Sequence, residues 1–228
     1  MRLAAFMLTI FLSCSPCFAA QDGVPHKAME YHTQDFSHLI GRMPGFGEDL
    51  LKMHFTLYSG YVKNTNLLIQ LIREYAVEGK TSDYQYQALK RRFGWEFDGM
   101  RLHELYFSNL GGKKPLDRST SLYKLIERDF GSYDNWMKDF VATGMMRGIG
   151  WAILYFDPKA DRLFNTWINE HDLGHLADGA IILVMDVWEH AYMPQYGLNR
   201  AEYIEAFFKN IKWDVVQTRF HNAVTRRQ

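Results

Sequence analysis

Between Phe46 and Tyr75 the positions Leu50, Leu51, His54, Leu57, Tyr58, Tyr61, Val62, Leu67, Leu68, Leu71 and Ile72 recur at helical intervals, with no proline and no cluster of turn residues. That pattern predicts one long amphipathic helix. A second helix is expected over Ser82 to Leu110, broken or bent near Gly94 and Gly99 and stopped by Gly111-Gly112-Lys113-Lys114-Pro115. The two make an antiparallel hairpin. Shorter helices are expected at Leu116 to Phe130 and at Tyr133 to Arg147, the latter opened by Ser132 as N-cap. The period then changes. Gly150 to Phe156, Arg162 to Ile168 and Ala180 to Met185 are rich in branched and aromatic residues and are parted by turn signals such as Asp157-Pro158, so they predict three antiparallel strands. Asn199 to Val216 returns to helix. Helices first, then helix, three strands and helix, make an α+β fold: a long N-terminal helical hairpin over residues 21–115, then a C-terminal α/β domain over 116–228 with a three-stranded antiparallel sheet.

With 228 residues, 47% of them hydrophobic and 15% aromatic, the chain has the material for a packed core and does not have the composition of a disordered one. Its formal net charge is zero, and the only basic knots are Lys90-Arg91-Arg92 and Arg226-Arg227. No stripe of positive charge is present for nucleic acid. Residues 1–20 carry the marks of a secretory signal: Arg2, an apolar run from Leu3 to Leu12, and the small-residue exit Cys17-Phe18-Ala19-Ala20. The run is too short to span a bilayer, so a periplasmic or secreted protein with no membrane anchor is expected after cleavage. Both cysteines, Cys14 and Cys17, fall inside this segment, which leaves the mature chain without a thiol as ligand, nucleophile or disulfide partner. Lipidation at Cys14 is the lesser alternative, because Phe11 stands where such a signal usually has Leu.

Candidate chemistry gathers at Asp186-Val187-Trp188-Glu189-His190-Ala191-Tyr192, directly after the last apolar strand. A carboxylate and an imidazole four residues apart offer one hard oxygen and one borderline nitrogen, which suit iron, manganese or zinc. Taken alone, the pair is more readily read as a helix cap, with Asp186 capping a short helix, and a core histidine at His190. Nine histidines are present. His26, His32, His38 and His221 sit in polar or terminal surroundings and are expected at the surface. His54 and His103 lie on the apolar faces of the two long helices, and His171 and His175 in the loop before the last strand. Several histidines from separate elements, each burying a polar ring, are harder to explain as packing than as a metal centre.

These residues carry a resemblance over nearly the whole mature chain. Asp186 to Tyr192 matches the D-x-W-E-H-A-Y signature of the iron/manganese superoxide dismutases and continues through Tyr196, Arg200 and Tyr203. Gly148-Ile149-Gly150-Trp151 resembles that family's G-S-G-W, and Tyr61-Val62-Lys63-Asn64 its Y-V-x-N. The resemblance implies one iron or manganese ion per chain held by His54, His103, Asp186 and His190, with superoxide as substrate and a homodimer as the assembly. It also implies that Tyr61 gates the channel and relays a proton, that Arg200 draws the anion inward, that Trp151 and Trp188 wall the site, and that Glu189 reaches across to a ligand histidine of the other subunit.

The chain departs from that pattern at three places. His54 precedes Tyr61 by seven residues where the family has eight, and Met53 holds the eighth position. Either the first helix lacks a one-residue π-bulge that its relatives carry, or His54 is not a ligand; the first is preferred, since methionine is a poor ligand for a hard ion. The family's bridging pair at the dimer contact is replaced by Tyr58 and Met193. Gly99 stands at the helix position where many iron enzymes place a glutamine, leaving room for the loop residue, and His171 matches the loop position that hydrogen-bonds the bound solvent. Iron and manganese are therefore not distinguished.

Two other readings remain. A mononuclear non-haem iron oxygenase also combines histidine and carboxylate ligands, but it normally sits in a β-barrel, whereas two ligands here come from long helices. A secreted metal-binding protein with the same fold and little or no turnover is compatible with the shifted His54 register and with Tyr58 and Met193.

Overall fold

A computed structural model describes residues 30–225. The expected signal segment with Cys14 and Cys17, together with His26 and the Arg226-Arg227 pair, lies outside them. The first long amphipathic pattern forms α1, Glu48–Val77, and the second forms α2, Tyr84–Ser108, packed antiparallel to it. The remaining elements are α3 Ser121–Phe130, α4 Tyr133–Gly144, β1 Gly150–Asp157, β2 Arg162–Asn169, β3 Ala180–Asp186, α5 Glu189–Tyr196, α6 Arg200–Lys209 and α7 Trp213–Thr225. The α+β class and the three antiparallel strands stand where the pattern placed them.

Four boundaries differ from expectation, each for a local reason. Helix α2 is unbroken at Gly94 and Gly99: neither glycine takes a positive φ, and packing along α1 outweighs the roughly 1 kcal/mol that each glycine costs a helix interior. Helix α3 starts at Ser121 rather than Leu116. The Asp117 carboxylate accepts from the Ser119 N–H at 2.8 Å and holds a turn, after which Thr120 caps the helix by accepting from Tyr123 N–H. Helix α4 is capped by Ser132 and ends at Gly144 rather than Arg147, because Gly148 and Gly150, at φ 131° and 138°, turn the chain into β1. The helix expected over Asn199 to Val216 is split into α6 and α7, with the intervening Asn210 side chain donating to the carbonyls of Pro44 and Ala206. Helix α5 was expected only in the reading of Asp186 as a helix cap, and its N-cap is Trp188 instead; eight residues are too few to show a period.

The sheet order is β2-β1-β3, so β1 is central, and seven of its eight residues are buried. Helices α4 and α3 pack on β1 and β2, while α2 and α7 pack on β3. This joins the hairpin to the sheet at one point that matters for the site. At the end of α2, Asn109 donates to Val184 O and accepts from Val184 N–H on β3, at 3.2 and 3.0 Å. Arg219 on α7 then donates to Leu105 O, Ser108 Oγ, Asn109 Oδ1 and Ile182 O. One helix end, one strand and one C-terminal helix are thereby tied together. Burial lowers the Arg219 guanidinium from its usual range to about 10.

Candidate metal centre

Helix α1 is regular α-helix over its whole length, without a π turn. Seven residues of such a helix rotate through about 700°, within about 20° of two full turns, so His54 and Tyr61 share a face. His54 is buried and Met53 is half-exposed at 51%. On α2, His103 is fully buried, and its Nδ1–H donates to Gly99 O at 2.5 Å, which leaves the lone pair of Nε2 pointing inward. That Nε2 atom has no hydrogen-bond partner among the described residues.

Asp186 ends β3, opposite Trp151 in the ladder. Its Oδ1 accepts from the Trp188 N–H at 2.8 Å, which aims Oδ2 at the histidines. His54 Nε2 lies 3.1 Å, His190 Nε2 3.2 Å and His103 Nε2 3.6 Å from that oxygen. One ligand atom from each of the four residues falls within 4.8 Å of the others. Burial drives down the basicity of His54 and His103, so both rings are neutral and their lone pairs available. Burial pushes the Asp186 carboxyl up, but the neighbouring His190 and His54 outweigh it and hold the group ionised. A buried carboxylate ringed by three imidazoles, one of them with an unpartnered nitrogen, fits a divalent or trivalent metal ion better than it fits a hydrogen-bonded core.

Around this cluster lies a wall of rings. Trp151 meets His103 edge-on at 5.0 Å, Trp188 stacks on His171 at 4.6 Å and on His190 at 5.8 Å, and Tyr61 stacks on His103 at 5.1 Å. The space above Gly99 is occupied by Tyr61 and not by a loop residue: a Cβ at Gly99 would stand 2.6 Å from Tyr61 Cδ1. His171 is buried and binds the other side of that tyrosine. Because an indole N–H only donates, Trp151 Nε1 at 3.1 Å makes His171 Nδ1 an acceptor, so His171 carries its proton on Nε2 and donates to Tyr61 Oη at 2.7 Å. The proton of Tyr61 is thus left for another partner.

Arg200 is placed beside the site, with its terminal nitrogens donating to the carbonyls of Met146, Gly148 and Val187 and its guanidinium over the Tyr192 ring. Tyr58 is fully buried and turned into its own subunit, donating to Glu104 Oε1 and accepting from Gln34 N–H, each at 3.0 Å. Glu189 and Met193 are exposed on α5. Two residues of this neighbourhood were not read from the sequence. Trp95 packs against His171 at 5.0 Å and Trp188 at 5.8 Å, and Arg92 lies over its ring while pairing with the buried Glu96. An aromatic residue eight positions before His103 on the same helix was the available signal.

The chain is similar to named proteins over most of its length. It is 36% identical to a superoxide dismutase [Fe] of Cupriavidus metallidurans over 80% of this chain and 92% of that one. It is 32% identical to a superoxide dismutase [Fe] of Saccharolobus solfataricus over 80% of this chain and 89% of that one, and 33% identical to superoxide dismutase [Mn] 2 of Haloferax volcanii over 79% and 90%. Residues 118–219 match the family described as iron/manganese superoxide dismutases, C-terminal domain.

The chain belongs to the iron/manganese superoxide dismutase family. Within this dismutase the family match covers α3, α4, the sheet, α5, α6 and the start of α7, and therefore Asp186 and His190, while His54 and His103 come from the hairpin that precedes it.

Proposed function

We propose that this chain is a superoxide dismutase working with one iron or manganese ion, exported through its N-terminal segment and active as a homodimer. The observation that carries the reading is the convergence of His54, His103 and His190 Nε2 on Asp186 Oδ2, with His103 Nε2 otherwise unpartnered. Bound among those four groups, an iron or manganese ion supplies the alternating one-electron exchange by which two superoxide anions and two protons become one O2 and one H2O2.

The chain's own residues admit the anion and deliver protons. Tyr61 keeps its proton at physiological pH, because burial raises its phenol and the charge of Asp186 raises it further. With His171 Nε2–H donating to its oxygen, the Tyr61 hydroxyl is free to donate toward the incoming anion. Rings of Trp95, Trp151 and Trp188 pack against His171, His103 and His190 and bound the space beside the four ligands. Arg200, held by three carbonyls, adds fixed positive charge nearby.

Dimerisation is supported by the openness of one ligand. The His190 side chain keeps 26% of its surface exposed, and α5 carries exposed Glu189 and Met193 beside it. A second subunit over this face would bury the ring, and the family resemblance has Glu189 meeting the partner's ligand histidine there. With Tyr58 used internally, that contact would rest on Glu189 and on packing at Met193. Export rests on Arg2, the Leu3 to Leu12 run and the exit at Ala19-Ala20.

The test is superoxide consumption by the chain from Gln21 onward after separate reconstitution with iron and manganese, with metal content and mass in solution measured on each sample. Turnover at about one ion per chain is expected. One bound ion without turnover under either metal would leave a metal-binding protein on this fold. Fractionation of expressing cells tests export.

A further inference from the structure

The loop between β2 and β3 has to hold His171 in one orientation, yet both of its ends stand in left-handed backbone, with Glu170 at φ 56° and Asp178 at φ 64°. L residues keep that conformation only where the surroundings fix it. One backbone bridge, Asn169 N–H to Leu173 O at 3.0 Å, closes the first part of the loop. Another anchor is a side chain. His175 Nε2 lies 2.8 Å from the carbonyl oxygen of His171, and since a carbonyl only accepts, the Nε2–H donates. With its proton so placed, His175 Nδ1 accepts from the Tyr155 hydroxyl at 2.7 Å. Tyr155 belongs to β1, the central strand, and is itself buried.

We propose that His175 is a positioning residue for dismutation: its imidazole ties the main chain of His171 to Tyr155 on β1 and so fixes the direction in which His171 Nε2–H meets Tyr61. The link cannot pass a proton, because it ends on a carbonyl. It acts by geometry. The charged group facing His175 is Asp98 of α2, whose Oδ2 stands 3.7 Å from Nε2, and Asp172 of the same loop lays its carboxylate against α2 at Gly94. These acids bring the same loop to the helix that carries His103. His175 therefore joins three things the site needs in register: β1 with Trp151, α2 with His103, and the loop with His171.

The inference rests on dismutation at the four-residue centre, and its test includes a readout that does not need turnover. His175→Gln keeps a donor for His171 O and an acceptor for Tyr155; His175→Phe keeps the volume and neither bond. In metal-free protein labelled with 15N-histidine, ring nitrogen spectra report the His171 Nε2–H and its exchange with water. The His175→Phe protein is expected to exchange that proton about tenfold faster, as for one lost hydrogen bond. Loaded with metal to wild-type content, it is expected to lose about three- to tenfold in kcat. His175→Gln is expected to restore both. Wild-type exchange and kcat in His175→Phe would overturn the proposal, as would His175→Gln behaving like His175→Phe, which would make the role one of packing. Should the loaded wild-type protein not turn over, the exchange measurement still decides whether His175 holds His171.

Discussion

His103 Nε2 stands 3.6 Å from Asp186 Oδ2, bare of any proton because the ring's single hydrogen is donated from Nδ1 to Gly99 O. Two fully buried groups, a lone pair and a carboxylate, face each other across a gap that no described donor fills. An arrangement of that kind is unfavourable unless a cation lies between them. Removing the lone pair should therefore remove the metal. In His103→Ala, as in His54→Ala, metal content by elemental analysis is expected to fall to background with dismutation lost, while circular dichroism stays that of a folded chain. Full metal retained in either variant would sink the assignment of that residue as a ligand.

Tyr61→Phe keeps the ring that fills the space above Gly99 and deletes only the hydroxyl that His171 contacts. Metal content is expected to stay at the wild-type level. Loss of a positioned proton donor should lower kcat, by up to about 10²-fold on the scale of general-acid catalysis. Rapid-mixing kinetics at saturating superoxide would show it, and an unchanged kcat would remove Tyr61 from proton delivery.

Gly99→Ala is a sterically small change with a specific expected effect, since the added methyl would stand 2.6 Å from Tyr61 Cδ1. The ring has to move, taking its 2.7 Å bond with His171 along. Overpacking of this sort costs about 1–3 kcal/mol, against a helix-propensity gain of about 1 kcal/mol from replacing glycine. The net is a loss of up to about 2 kcal/mol, so the thermal midpoint is expected to fall by several degrees at most while kcat falls. A variant with wild-type kcat would show that the Tyr61 position is not critical.

Acid should destabilise the metal-free protein between about pH 6.5 and pH 4. Burial lowers His171 to about 4, from 6.5 in the unfolded chain. Above 6.5 both states are neutral and the folded state has its full stability. As pH falls below 6.5 the unfolded chain takes up a proton that the folded chain refuses, so stability drops, by about 3 kcal/mol from this residue once pH 4 is reached. His54 and His103 shift in the same direction for the same reason. The urea midpoint of the metal-free protein is expected to be lower at pH 5 than at pH 7, with the His171→Gln variant showing a smaller difference.

Arg219→Met tests the tie between the hairpin and the sheet. Ile182 O would lose its guanidinium donor, at about 1–3 kcal/mol where that group is left unsatisfied, while Leu105 O keeps the Asn109 N–H and the Ser108 hydroxyl. A lower thermal midpoint is expected, with metal affinity reduced because α2 carries His103 and β3 carries Asp186. A midpoint within a degree of wild type would show that water replaces the guanidinium.

Much of this molecule is legible in the order of its residues. Short-range periodicity determines α1, α2 and the three strands, because a 3.6- or 2-residue repeat needs only local neighbours to be expressed. The Asp186 to Tyr192 segment announces a metal-binding family for the same reason: two of its groups are placed by one strand end and one short helix. Local rules fail where a neighbour decides. Gly94 and Gly99 look like breaks until α1 lies alongside, and Asn199 to Val216 looks continuous until Asn210 is drawn to Pro44 and Ala206. The tautomers of His103 and His171, the inward turn of Tyr58 and the tether from His175 to Tyr155 all depend on partners between 4 and 46 residues away. What the residue order determined by itself was which elements form and which chemistry they carry. What only the tertiary structure decided was where each proton sits and which carbonyl, ring or carboxylate it faces, because hydrogen bonds and burial are set by distances across the fold.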